Sequence, residues 1–252
     1  MWYNILFPVD FSSHGFSIDD YARAFSHLQG KQFSAFFLSD FMKEKNGHEE
    51  NHRQERQKSL REAATSVKVD LKFIACPGSV LSLRYQSRFA DLLVLSPLTG
   101  ESQQMLTTLL DENIFDDFGC PVLVSANLAD PYDEIIFLFD HDPTGLTALK
   151  SFHNLFSQIS KNKKVTVITV NQDDMPEVFF EESLVHYLRG TFGNVGILPM
   201  NKGDMGKNLV TYAARSEHPL LIMGRSAQSL FEDKALLRAL EQKKISVYYS
   251  YN

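Results

Sequence analysis

The sequence predicts an α/β fold in two domains, each a five-stranded, mainly parallel sheet with helices on both faces. Three observations predict it. The short apolar runs are near-continuous rather than alternating, as strands buried on both faces of a parallel sheet require. They alternate with longer amphipathic stretches, the pattern of right-handed strand–helix–strand crossovers. The pattern also restarts halfway: Asp140 lies 130 residues after Asp10, and Leu221 lies 128 after Leu93. So stable an offset reads as a repeat of one domain length.

In the first half, Tyr3–Val9 is a strand ending at Asp10. Ser13–Gln29 reads as a helix closed by Gly30, the usual residue at a helix C-terminus. Gln32–Ser39 is the second strand. Lys43–Thr65 is charged, and its later part reads as a solvated helix. Val69–Ala75 is the third strand, Val80–Arg88 a short helix and Asp91–Leu95 the fourth strand. Ser102–Asp117 reads as a helix and Pro121–Ser125 as the fifth strand. In the second half, Glu134–Phe139 leads into Asp140 as the first strand led into Asp10. Asp142-Pro143 has the look of an N-cap followed by proline at the first helical position. The helix Thr144–Ile159 follows, then the strand Lys164–Val170, the helix Glu177–Arg189 and the strand Asn194–Met200. The helix Met205–Arg215, the strand Pro219–Gly224, the helix Gln228–Glu241 and the strand Ile245–Ser250 complete the pattern. Residues 126–131 read as the linker, which gives domains 1–126 and 132–252.

Composition narrows the function. Hydrophobic residues make up 44% and charged residues 22%, values that exclude a disordered or fibrous chain. Lys and Arg number 25 against 31 Asp and Glu, a formal charge of −6. That balance argues against a general nucleic-acid binder, which needs clustered cations to neutralise phosphate. No apolar run approaches the roughly 20 residues that span a bilayer. The opening Met1-Trp2-Tyr3-Asn4 has no basic n-region, so the expected location is the cytoplasm. Cys76 and Cys120 read as packing residues, not as part of a disulfide framework.

Ile5-Leu6-Phe7-Pro8-Val9-Asp10-Phe11-Ser12 resembles the first strand of universal stress proteins, which read approximately ILVPVDGS. Ala90-Asp91-Leu92-Leu93-Val94-Leu95-Ser96 resembles their fourth strand, and Gly119-Cys120-Pro121-Val122-Leu123-Val124 their closing one. Ile135–Asp140 and Leu220-Leu221-Ile222-Met223-Gly224 carry a weaker form of the same resemblance in the second half. It implies a tandem protein of adenine-nucleotide-hydrolase-like, Rossmann-like domains. It fixes no catalytic constellation, and neither a G-x-S-x-G elbow nor a G-x-x-x-x-G-K-[S/T] loop is present, so the expectation is a non-catalytic protein.

ATP-binding members of that family carry G-x-x-G-x9-G-[S/T] after the fourth strand. Glycines there let backbone N–H groups approach phosphate. In the first half the segment from Ser96 keeps only Gly100; Pro97 removes a donor and Glu101 brings negative charge. In the second half Gly224 is kept, followed by Arg225, Ser226 and Ala227. Arg225 offers a charged fork for phosphate and Ser226 a hydroxyl; alternatively, Arg225 is a solvated loop residue and Ser226–Ala227 simply start the next helix. Asp10 and Asp140 match the family's acidic residue beside the nucleoside, and capping or turn formation is their other reading. The candidate ligand residues are therefore Asp140, Gly224, Arg225, Ser226, Asp10, Ser96 and Gly100. The expected state is no resident cofactor, with ATP or AMP at a remnant second-half site as the alternative.

Two metal patterns read as decoys. His48-Glu49-Glu50-Asn51-His52 satisfies H-E-x-x-H, but it sits in a stretch charged nearly all round, with no third ligand signalled. Asp140-His141-Asp142 reads better as a strand end, a loop histidine and an N-cap. Phe33, Phe36, Phe37 and Phe41 read as strand and core packing, because no basic residues interleave them. The expected partners are a small ligand or another protein, with no nucleic acid and no membrane. The last strand of each half suits edge pairing, which predicts an intramolecular pseudo-dimer of the two domains, with a homodimer as a further form.

Overall fold

Strand β1, Tyr3–Val9, is buried from Ile5 onward, as its uninterrupted apolar run requires. In this computed structural model the described residues are 2–9, 17–37, 49–74, 79–96, 114–125, 128, 132–160, 163–171, 178–201, 205–232, 236, 238–239, 242 and 245–250. The chain divides into two units, Met1–Ala129 and Asp130–Asn252.

In the first unit β1 is followed by α1 (Ile18–Ala24), β2 (Lys31–Phe37), α2 (Glu49–Ser66), β3 (Asp70–Phe73), α3 (Val80–Ser87) and β4 (Leu92–Leu95). A 3-10 turn (Ile114–Asp117) then leads to β5 (Val122–Val124). The pairings run β3-β2-β1-β4-β5, all parallel. All four residues of β4 and all three of β5 are buried, whereas the burial of β3 alternates, as expected at an edge.

The first helix is shorter than its sequence pattern. Ser17 caps it: Asp20 N–H donates to Ser17 Oγ (3.2 Å), and Ser17 N–H donates to Asp20 Oδ2 (2.9 Å). This reciprocal box fixes the start at Ile18. The helix ends at Ala24, because Phe25 and Leu28 are drawn into the core and the chain turns to bury them. Gly30, at φ 68°, closes that turn rather than the helix, and its carbonyl accepts from Tyr3 N–H at 2.8 Å. The predicted start at 13–16 lies outside the described residues.

The second unit runs β6 (Glu134–Phe139), α4 (Pro143–Ser160), β7 (Lys164–Asn171), α5 (Val178–Thr191), β8 (Asn194–Asn201), α6 (Met205–Ala213) and β9 (Pro219–Met223). A 3-10 helix (Arg225–Glu232) and β10 (Ser246–Tyr249) follow. Its parallel order is β8-β7-β6-β9-β10, so counting each unit's strands from its own start gives 3-2-1-4-5 in both. The registers also correspond: Leu6 pairs with Leu93, and Ile136 with Leu221. Two predicted helices differ at one end. Residues 114–117, the last of Ser102–Asp117, make a 3-10 turn, while 102–113 lie outside the described residues. In the helix predicted at Gln228–Glu241, Leu236, Arg238 and Ala239 are α-helical as expected, but the start expected at Gln228 falls inside the 3-10 helix that opens at Arg225. There Ala227 is buried and its N–H reaches Gly224 O at 3.2 Å, a tight i→i+3 bond.

At the amino ends of the strands, both units hold a polar residue under the sheet. In the first unit Ser34 Oγ donates to Asn4 Oδ1 (2.6 Å), and Asn4 Nδ2 donates to Phe89 O (2.8 Å). In the second, Glu134 takes the same place, its side chain only 6% exposed. Lys164 Nζ lies 2.7 Å from Glu134 Oε1, and Thr166 Oγ1 (2.6 Å) and Tyr212 OH (2.8 Å) donate to that oxygen. Ser216 Oγ donates to Oε2 at 2.5 Å. Burial alone would raise this carboxyl's pKa; bonds from Lys164, Ser216, Thr166 and Tyr212 outweigh it and hold the pKa at about 2.

The phenylalanines of β2 are core, as their pattern implied: Phe33, Phe36 and Phe37 are buried, while Phe41 lies outside the described residues. Basic residues nonetheless reach them from α2. The Arg53 guanidinium lies 5.2 Å from the Phe37 ring centre and that of Arg61 5.1 Å from Phe73, and the two rings stack at 5.9 Å. These cation–π contacts pin a highly charged helix to the sheet. No helix among the described residues is long and apolar enough to cross a membrane.

Candidate functional site

Open α/β sheets receive ligands beyond the carboxyl ends of their strands. In the second unit that place lies between the ends of β6 and β9. Three residues, Asp140, His141 and Asp142, connect β6 to α4. In the first unit eight residues separate Val9 from Ile18. The short connection brings the first turn of α4 hard against the end of β9. A Cβ placed on Gly224 would stand 2.5 Å from both Gly145 N and Thr144 C and 2.7 Å from Thr144 O. Glycine is needed here for space, so that helix backbone and strand end can touch.

The sequence reading of Asp142 as an N-cap holds. Thr144 N–H donates to Asp142 Oδ1 at 2.8 Å, and Thr144 Oγ1 donates to the same oxygen at 2.5 Å. Asp142 N–H in turn reaches Asp140 Oδ1 at 3.3 Å. The Asp142 pKa is lowered by the Thr144 hydroxyl, then by the Thr144 N–H, with the nearby Arg225 charge adding to the effect. His141 adopts φ 67°, a left-handed conformation uncommon outside glycine though more open to histidine than to most residues, with its ring 4.9 Å from that of Phe139.

Arg225 and Ser226 are exposed and open the 3-10 helix. The Arg225 N–H points back into the chain and donates to Thr144 Oγ1 at 3.1 Å. The backbone donor that follows the retained glycine is thus held by a neighbouring hydroxyl, and the negative charge at the helix N-terminus is the protein's own Asp142 carboxylate. Of the predicted residues, Asp140, Gly224 and Arg225 come together here, and Ser226 follows on the same turn. Ser96 ends β4 in the first unit and is buried. Asp10 and Gly100 lie outside the described residues, as does His48. Thr144 and Gly145 were missed, although both stand directly after the cap and its proline in the run Asp140-His141-Asp142-Pro143-Thr144-Gly145.

Asp142→Ala removes the cap and the anchor for Thr144, and we expect it to cost about 1 kcal/mol of stability. Because the folded pKa is depressed, the charged cap stabilises fully above its unfolded pKa and is lost as pH falls through the folded value. Urea midpoints at pH 7 and at acid pH check this: the gap between wild type and variant should narrow in acid. Among the described residues no group of three His, Cys, Asp or Glu side chains could hold a metal ion.

No protein-family model and no curated protein matches the sequence. Solved structures do match the fold. A universal stress protein from Archaeoglobus fulgidus superposes with a TM-score of 0.73 at 12% identity, over 99% of this chain and 96% of that one. A universal stress protein of Pseudomonas aeruginosa UCBPP-PA14 gives 0.59 at 11% identity, covering 99% and 93%. A functionally unknown protein of P. aeruginosa PAO1 gives 0.57 at 11%, covering 99% and 92%. The fold is the Rossmann-like α/β fold of universal stress proteins.

Proposed function

We propose that this chain is a tandem universal-stress-type protein of the cytoplasm that acts without catalysis, by binding a small ligand or a partner protein in a stress response. The fold matches, running through both units, support the family assignment, as do the equal strand orders and registers of the two units. One observation carries the reading against a nucleotide ligand. At the second-unit site, Asp142, Thr144 and the Arg225 N–H are bonded to one another, and the first turn of α4 lies against Gly224. A phosphate entering there meets a carboxylate and a donor already in use. Arg225 then serves as the electrostatic complement of Asp142 instead of as a nucleotide ligand.

Thermal unfolding with ATP and Mg²⁺ tests this. A ligand at 100 times its Kd adds about 2.7 kcal/mol, a shift of several degrees for a protein of this size. The expected result at millimolar nucleotide is no shift. A rise of several degrees that disappears in Arg225→Ala would overturn the reading and establish the second unit as an ATP- or AMP-binding module. A rise that persists in that variant would also overturn the reading and show that groups other than Arg225 hold the nucleotide.

A further inference from the structure

Five large apolar side chains stand exposed among the described residues, and three of them lie on or just beyond α3: Leu81 at 72%, Tyr85 at 56% and Phe89 at 63%. They recur every four residues, so they form one stripe along the helix, about 12 Å long at 1.5 Å per residue. Tyr85 and Phe89 meet edge to face, with ring centres 5.5 Å apart, which stiffens the stripe. The opposite face of α3 packs inward through Leu83 and Ser87, both fully buried. The stripe is therefore surplus to the core. A cavity of about 570 Å³ opens beside it, lined by Leu81, Ser82, Arg84, Tyr85, Gln86 and Arg88. Phe89 extends the apolar surface beyond that lining, so the surface is longer than a small ligand would fill.

The charge carried by the helix segment itself has one sign, and Asp117 is the carboxylate that meets it from outside. Residues 79–89 carry Arg84 and Arg88 and no Asp or Glu, in a chain whose net charge is −6. Arg84 already holds a carboxylate: its Nη2 lies 2.7 Å from Asp117 Oδ2, and Asp117 is 45% exposed. An apolar stripe edged by guanidinium groups complements an amphipathic segment with apolar residues at helical spacing and acidic neighbours. A second copy of the same stripe would bring arginines against arginines.

We infer that α3 of the first unit is a docking face for an acidic, amphipathic helical segment of another protein, anchored by Leu81, Tyr85 and Phe89 and steered by Arg88. The stripe is small, so the complex is a transient one. The inference does not depend on the second-unit site.

The test is selection of a displayed library of amphipathic helical peptides against the full-length protein, with bound sequences read out and then measured individually. The expected winners are rich in Asp and Glu beside apolar residues at i and i+4. They should bind at least ten-fold more weakly to Tyr85→Ser/Phe89→Ser and to Arg88→Glu, and weaken as salt is raised. Both variants are on the surface, so their melting temperatures should stay near that of wild type. Winners without acidic enrichment, or binding equally to both variants, would overturn the inference. So would sedimentation of the free protein as a dimer that Tyr85→Ser/Phe89→Ser dissociates, since the stripe would then be a self-association surface.

Discussion

Glu134→Gln is expected to lower stability near neutral pH by roughly 2–3 kcal/mol and to flatten the loss of stability in acid. The carboxylate is nearly inaccessible and collects four donors, from Lys164 on β7, Thr166 on the same strand, Tyr212 on α6 and Ser216 beyond it. An amide presents a donor of its own to this ring of donors, so at least one hydroxyl must turn away. The sign of the pH effect follows from the depressed pKa of about 2, against an ordinary 4.5. The folded state binds fewer protons than the unfolded one between those values. The stabilisation is complete above about 4.5 and is lost as pH falls toward 2. At 1.36 kcal/mol per unit the contribution is at most about 3 kcal/mol, and less once the part owed to Lys164 is screened by solvent. Lys164 is half exposed, so the ion pair by itself supplies only a minor part. Urea midpoints at pH 7 and pH 3 are the measurement. Wild type should lose more than the variant on acidification. A variant with the wild-type midpoint at pH 7, or the same acid loss, would show that the four donors do not act on this carboxylate as their distances suggest.

Nearly every strand could be read directly from the chain, because a run such as Ile135–Phe139 is too short for a helix and too apolar for a surface. Helix ends were harder. Gly30 carries a helix-stop signal, yet α1 stops at Ala24 because burial of Phe25 and Leu28 bends the chain first. That decision is tertiary and leaves no local mark. The Glu134 cluster left a signal that was not used: a lone acidic residue opens an otherwise apolar strand, and Lys164 opens the next. Parallel register places the two side by side. The candidate site was half legible. Asp142-Pro143 predicted the cap correctly, and Gly224 stood out as a retained glycine. It was read from phosphate chemistry; the fold adds a close contact with Thr144 and Gly145, residues far away in the chain. Likewise Arg53 and Arg61 sit apart from Phe37 and Phe73 in sequence, so scanning for interleaved charge could not find their stacking.

Gly224→Ala should destabilise the protein by about 1–3 kcal/mol, the range for forcing an extra carbon into a filled space, and loosen the first turn of α4. Glycine-to-alanine changes often stabilise, by about 0.4–1 kcal/mol, because they restrict the unfolded chain. Here the steric term wins. Carbon contacts settle near 3.5–4.0 Å, and the new methyl would start 2.5 Å from Gly145 N and Thr144 C. Those atoms are backbone at the start of an 18-residue helix, so no side-chain rotation relieves the clash; β9 and α4 must separate. Separation also pulls Thr144 Oγ1 away from the Arg225 N–H, so amide exchange at Arg225 should accelerate along with the fall in melting temperature. Gly190 supplies the control. It lies in α5, exposed, and a Cβ there meets nothing within 4 Å. Gly190→Ala should therefore leave the melting temperature unchanged or raise it, through improved helix propensity. If Gly224→Ala behaved like Gly190→Ala, the close approach of α4 to β9 would be wrong, and with it the occupied helix N-terminus on which the reading against a nucleotide ligand rests.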